Sequence, residues 1–288
     1  MTIGRLYHVI HIVDDLDVAQ SFYGSVFPLE TYTDHEWSDY DKRLASLSIL
    51  TENFVIELIQ PSHAEEDLDV SLPKFAHRFG SRLHSMAWFS DDVSGLAERF
   101  EAAGIRVLGG GYGTIFTHPK DTFGQLQFQT GPPEVAVPDP RLEPGWTLST
   151  ASIEHPLGLV RASHVTTMVS NLDAAVKLYR GPLDGQLLHE RVDDDARHAF
   201  FLVGTDTVVD LAEPVRAGTA LRDDLERNGQ LPHSCTFLVR DLDVARRHLA
   251  DVDVPTVHVD ESTVLIDPTV SLGARIELTD EPVPGDPR

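Results

Sequence analysis

The chain has 288 residues, 41% of them hydrophobic, which is enough for two ordinary packed domains or one large one. Its 46 acidic against 23 basic side chains give a formal charge of −23, which argues against nucleic acid or an anionic membrane surface as partner, since both reward basic patches. A single cysteine, Cys235, excludes an intrachain disulfide, and no stretch of about 18 apolar residues occurs, so a soluble protein of the cytoplasm is expected.

Residues 6–27 alternate as a strand and then turn at Asp14 and Asp15, which supply N-cap oxygens for an amphipathic helix ending near Phe27. Residues 43–50 and 53–59 read as two further strands closed by Pro61; a strand between Leu29 and Asp34 completes a β-α-β-β-β unit over 6–61. Residues 62–80 are polar and read as irregular. A second unit spans 82–130, with a helix to about Ala103 and strands around Thr114–Thr117 and Gln125–Gln129. Six prolines between 132 and 160 mark a stiff linker, or a strap lying over a domain. A third unit follows at 161–214 and a fourth at 231–279, and the acidic, proline-rich end EPVPGDPR is expected to fray.

The four openings align without a gap on Asp17, Ser94, Asp173 and Asp243, so the chain is a fourfold repeat of roughly 70 to 80 residues. One such unit has an exposed sheet edge and an uncovered face, and pairing units covers both and leaves a concave cleft. The expected architecture is α+β: four βαβββ modules paired into two tandem domains, 1–131 and 161–280, joined by the linker 132–160.

The repeated opening H-V-x-x-x-V-x-x-L-D at His8 and His164, together with FVIELIQP at 54–61 and LIDPTVSLGARIEL at 265–278, resembles the vicinal oxygen chelate superfamily of glyoxalases, methylmalonyl-CoA epimerases, bleomycin resistance proteins and extradiol dioxygenases. LHSMAWFSDD and HPKDTFG look most like its epimerase branch. The resemblance implies two ligand positions per unit around one divalent ion, in the first and last strands. Carried over, these are His8 and Glu57, Ser85 and Phe128, His164 and Asp210, and Ser234 and Glu277.

Unit two thus loses both ligands, and the C-terminal pair keeps His164, Asp210 and Glu277 as a three-ligand face for iron, zinc, manganese or nickel. If unit one pairs with unit four instead, the set becomes His8, Glu57 and Glu277. A β-bulge turning His233 inward would give the two-histidine, one-carboxylate triad His164, His233 and Glu277. His258 lacks the following tyrosine of extradiol dioxygenases, which counts against ring cleavage.

The function so implied is a metal-dependent isomerase or lyase acting on a small oxygenated substrate, with Glu277 as ligand and base. A ferrous extradiol-type dioxygenase and a metal-free binding or resistance protein are the alternatives. A homodimer is one assembly such a fold allows. A carboxylate inside an apolar strand must be coordinated, paired or wetted, and Arg275 and Arg197 are candidate partners for the three acids.

Overall fold

The computed structural model describes residues 2–39, 41–111, 113–131 and 137–288, without the side chain of His258. Linker prolines Pro132 and Pro133, and the comparison drawn at His258, therefore lie outside the described residues.

The N-terminal sheet contains β1 (Ile3–Ile12), β2 (Glu30–Ser38), β3 (Arg43–Thr51), β4 (Phe54–Pro61), β5 (Arg82–Ser90), β6 (Val107–Gly111), β7 (Thr114–Thr117) and β8 (Gln125–Thr130). The C-terminal sheet contains β9 (Leu159–Met168), β10 (Gln186–Val192), β11 (Ala196–Val203), β12 (Thr207–Pro214), β13 (Pro232–Val239), β14 (Thr256–His258), β15 (Thr263–Ile266) and β16 (Arg275–Thr279). Strand orders are β2-β3-β4-β1-β5-β8-β7-β6 and β10-β11-β12-β9-β13-β16-β15-β14, the same topology twice. The opening strands of paired units lie side by side, so unit one pairs with unit two and unit three with unit four.

Helices α1 (Leu16–Val26), α3 (Val93–Ala102), α5 (Leu172–Arg180) and α7 (Leu242–Asp251) follow the four opening strands. Each begins at a capping oxygen in the same place: Asp15, Asp92, Asn171 and Asp241 accept from the backbone N–H three residues on, at 2.8–3.0 Å. Each helix also turns apolar positions inward, such as Ala19 and Tyr23, or Ala245 and Leu249, against the backs of the strands. The result is one apolar core running through both halves, where Phe27 and Phe54 meet Phe237. Trp88 and Phe128 stack within it.

Elsewhere the halves meet backbone to backbone. Gly204 (φ +64) lies on the carbonyl of Gly4, and Gly273 (φ +81) on that of Ser81, where a Cβ would collide. His11 is fully buried between the Tyr23 hydroxyl (3.0 Å) and the Leu272 carbonyl (3.0 Å).

Two segments, residues 62–80 and the tail, depart from sequence expectation. Residues 62–80 are not irregular: they hold α2 (Ser71–Phe79), whose Leu72, Phe75 and Ala76 cover Ile10, Ile12, Ala45 and Ile59 on the concave face. The equivalent stretch of the C-terminal half holds α6 (Ala220–Asn228), and a one-turn helix α4 (Thr150–Ile153) precedes β9. The linker is a strap, with Leu142, Trp146 and Leu148 laid over Tyr7, Leu47, Ile49, Val55, Ala87 and Phe89.

The chain's end does not fray either. Val283 packs on Phe200 and Val208, and Asp286 pairs with Arg288 (2.7 Å) and Arg161 (3.1 Å). The physical reason is a motif that occurs twice, Asp139-Pro140-Arg141 in the strap and Asp286-Pro287-Arg288 in the tail. In both, the aspartate accepts from the arginine's own backbone N–H, its Nε and its Nη2, folding the guanidinium into a rigid clip. Each clip then donates to the carbonyls just before the cleft histidine: Arg141 to Leu6 and Tyr7, Arg288 to Ser163.

Candidate active site

In each sheet the concave face carries residues in rows across adjacent strands, because partners in register share a face. In the C-terminal sheet one row runs Glu277, Thr236, His164. The next runs Arg275, Ser234, Thr166, Asp210, Phe200. Small buried hydroxyl residues, Ser234, Thr236 and Thr166, thus floor a trough. Glu277 and Arg275 wall it on one side, His164 and Asp210 on the other. The Cα atoms of His164 and Glu277 stand about 10 Å apart, two strand spacings.

Glu277 keeps 18% of its side chain exposed and accepts from the Thr236 hydroxyl at 3.1 Å. His164 is partly exposed, with Nδ1 3.1 Å from the Ser163 hydroxyl and its ring edge-on to Phe200. Packing strips water from this imidazole and lowers its pKa, against the pull of Asp210 and Glu277, so it is neutral at pH 7. Asp210 is engaged elsewhere. Both its oxygens lie 2.9–3.0 Å from His198 Nδ1, and Thr166 donates to it at 3.1 Å. Burial alone would raise the Asp210 pKa and lower that of His198. Their mutual attraction outweighs it, leaving Asp210 below and His198 above its ordinary value. Arg191 lies over Phe200 at 5.6 Å, beside this pair.

The N-terminal counterpart is closed. Its rows are Gln127, Ala87, His8 and Gln125, Ser85, Ile10, Glu57, Leu47. The last-strand position there is Gln127, not Phe128, because strand register turns Phe128 into the core against Trp88 and Phe100. His8 and Glu57 are each 4% exposed, 3.2 Å apart, and Arg43 reaches Glu57 at 3.1 Å. Burial lowers the His8 pKa despite Glu57. The strap and its clip roof this cluster.

His233 does not join a triad. The expected bulge is present between Pro232 and Ser234, but the imidazole goes to Asp224 of α6 at 2.6 Å, which Arg82 also contacts at 3.2 Å. His84 sits in the matching bulge, edge-on to Phe75 of α2. The set His8, Glu57 and Glu277 is likewise not assembled, since its members belong to different sheets. Arg197 turns outward to Glu213 and Asp173. Cys235 is buried in the core, and burial raises its thiol pKa far out of the reactive range.

Among the described residues no group of three or more His, Cys, Asp or Glu side chains is arranged to hold a metal ion. The donor chemistry explains this. Asp210 is neutralised by His198, Ser234 replaces a first-strand ligand, and a guanidinium stands 3.8 Å from Glu277. Two donors, His164 and Glu277, fall short of the three protein ligands that a catalytic ion takes. In the N-terminal cluster Arg43 occupies the place of a cation. The residues present therefore do not fit a resident divalent ion.

Sequence reading passed over Arg191, Arg43 and Gln127, and placed His198 near a strand end without pairing it with Asp210. The signal for His198 was available: in RHAF it alternates onto the same face as Phe200, which a strand partner places opposite Asp210. Two shallow surface grooves, one along α5 near Lys177 and Glu190 and one near Asp91 and Thr130, lie away from these residues.

Comparison with known proteins agrees with the repeated fold. The sequence profile of the Glyoxalase/Bleomycin resistance protein/Dioxygenase superfamily matches residues 7–120. An ethylmalonyl-CoA/methylmalonyl-CoA epimerase of Cereibacter sphaeroides is 30% identical over 132 residues, which are 43% of this chain and 95% of the epimerase. The chain belongs to this superfamily. A mutant 4-hydroxymandelate synthase from Streptomyces coelicolor superposes over 96% of this chain and 92% of its own, with TM-score 0.66 and 16% identity, a likeness of fold alone. Methylmalonyl-CoA epimerase from Mycobacterium tuberculosis is 28% identical, covering 48% of this chain and 94% of its own, with TM-score 0.42. The profile match falls on the half that the strap roofs, so it identifies the folding unit and not the chemistry of the C-terminal half. No helix among the described residues is long and apolar enough to cross a membrane.

Proposed function

We propose that the chain is an enzyme of the isomerase or lyase type, moving a proton on a small oxygenated substrate in the C-terminal trough with Glu277 as the base. One observation carries this: a carboxylate and a neutral imidazole face each other across Thr236 on the C-terminal sheet, whose tail packs beside them on Phe200 and Val208. Glu277 takes the proton from the carbon next to a substrate carbonyl, and the electron pair of the broken C–H bond moves onto the carbonyl oxygen. The hydroxyl of Ser234 supplies a donor for that oxygen, while those of Thr166 and Thr236 hold Asp210 and Glu277. His164, tied at Nδ1, presents Nε2 from the opposite wall. No step is assigned to a divalent ion, because the donor set does not fit one.

The test is deuterium incorporation from heavy water into candidate substrates. Methylmalonyl-CoA and ethylmalonyl-CoA, named for the Cereibacter relative, come first, followed by simple 2-oxo and 2-hydroxy acids. Glu277→Gln should slow incorporation at least about 100-fold, in the range general bases contribute. His8→Gln, in the roofed half, should leave it unchanged. Incorporation that survives Glu277→Gln at the wild-type rate would overturn the proposal.

A further inference from the structure

We infer that the substrate of this trough carries a carboxylate, and that Arg275 is the residue that reads it. The inference rests on the trough being the substrate site, as proposed above. Arg275 lies two residues before Glu277 on the same face of β16 and faces Ser234 across the strand pair. Its guanidinium is only partly satisfied. The Nε is buried without an acceptor, and the nearest carboxylate oxygen, Glu277 Oε1, is 3.8 Å from Nη2, beyond hydrogen-bond length. Arg141 and Arg288 show what a satisfied guanidinium in this fold looks like, with bonds of 2.6–3.0 Å to an aspartate two residues away.

Internal comparison points the same way. In the roofed half the residue in register with Ser85, as Arg275 is with Ser234, is the neutral Gln125. A cation stands at this position in the C-terminal copy and a neutral amide in the N-terminal one. The remaining charge of the row, Asp210, is already neutralised by His198, so an incoming anion meets Arg275 and not a second acid at the far end. A planar guanidinium with free donors pairs with a carboxylate in a fixed fork, which would hold the substrate's reacting carbon over Thr236, beside Glu277. In a chain of charge −23, such a local cation is what lets an anion bind.

The probes are pyruvate and its methyl ester, in which a methyl group removes the negative charge. Binding is read by NMR from the arginine Nε–H resonances of the full chain. Pyruvate should shift the Arg275 resonance saturably and the ester should not. Arg275→Gln should weaken pyruvate binding about 10- to 100-fold, as loss of charge-assisted bonds implies, with Arg275→Lys in between and both variants as stable as wild type. Equal pyruvate affinity in wild type and Arg275→Gln, equal binding of the ester, or no saturable shift up to about 100 mM pyruvate would each overturn the inference.

Failure of the catalytic proposal looks different: pyruvate still binds through Arg275, but no substrate exchanges deuterium. Failure of the inference alone leaves Glu277-dependent exchange intact in Arg275→Gln.

Discussion

Replacing Arg141 with alanine should show how firmly the strap is fastened. The Arg141–Asp139 pair is 2.6 Å long and both side chains are fully buried, so removing the guanidinium leaves an uncompensated carboxylate inside the protein. Breaking such a pair costs about 3–5 kcal/mol. The Leu6 and Tyr7 carbonyls also lose their donor, at about 1 kcal/mol each where no water replaces it. Partial overlap between these contributions leaves about 4–6 kcal/mol. At roughly 2–4 °C per kcal/mol, the melting temperature should fall by about 10–20 °C if the strap and the fold unfold together. Calorimetry measures this, and Trp146 emission in a Trp37→Phe background, where Trp88 stays buried, reports whether the strap lifts first.

Two comparisons sharpen it. Asp139→Ala combined with Arg141→Ala should cost less than the sum of the single variants, because no charge is left stranded. Arg288→Ala should cost less than Arg141→Ala, since Arg288 is 12% exposed. A melting temperature within about 2 °C of wild type, with unshifted Trp146 emission, would refute the clip as a fastening.

Metal content of protein purified without chelator should be well below one ion per chain; a stoichiometric ion that disappears in His164→Ala would contradict the donor argument above. His11, whose pKa burial lowers to about 4, adds a penalty that is absent above its unfolded value near 6.5, grows as the pH falls and levels off near 4. That amounts to ~3 kcal/mol of lost stability between pH 7 and 4, and a His11→Gln variant whose melting temperature falls with acid as steeply as wild type would rule His11 out as the cause. Gly204→Ala should lower the melting temperature by several degrees, since a Cβ there meets the Gly4 carbonyl at positive φ, whereas Gly24→Ala, where only Leu29 lies within 4 Å, should raise it. Equal effects of the two would show that the close approach of the halves carries no weight.

The fold was legible because it is written four times. An aspartate or asparagine cap, a β-branched opening strand and an amphipathic helix recur at fixed spacing, and no single strand had to be identified unaided. The site was legible only along each strand. Alternation placed His164, Asp210 and Glu277 on inward faces, but their partners come from other strands, so the His198–Asp210 pair and the capture of His233 by Asp224 were not visible. Register also corrected Phe128 to Gln127, a one-residue slip that moves a side chain to the other face of the sheet. Composition left the linker open between a stiff spacer and a strap and misled in the tail, where it suggested fraying, while a repeated Asp-Pro-Arg triplet, plain in the sequence at 139–141 and 286–288, locks both down.

The strap has one more consequence, for stoichiometry. A duplicated fold would ordinarily offer two equivalent clefts, with room for each to influence the other. Here Trp146 and its neighbours already occupy one of them, as a tethered guest present at a concentration no free ligand matches. The chain should therefore titrate with a single ligand per molecule and a simple hyperbola. The roofed half then serves as ballast for its twin, free to lose reactive residues without cost to turnover.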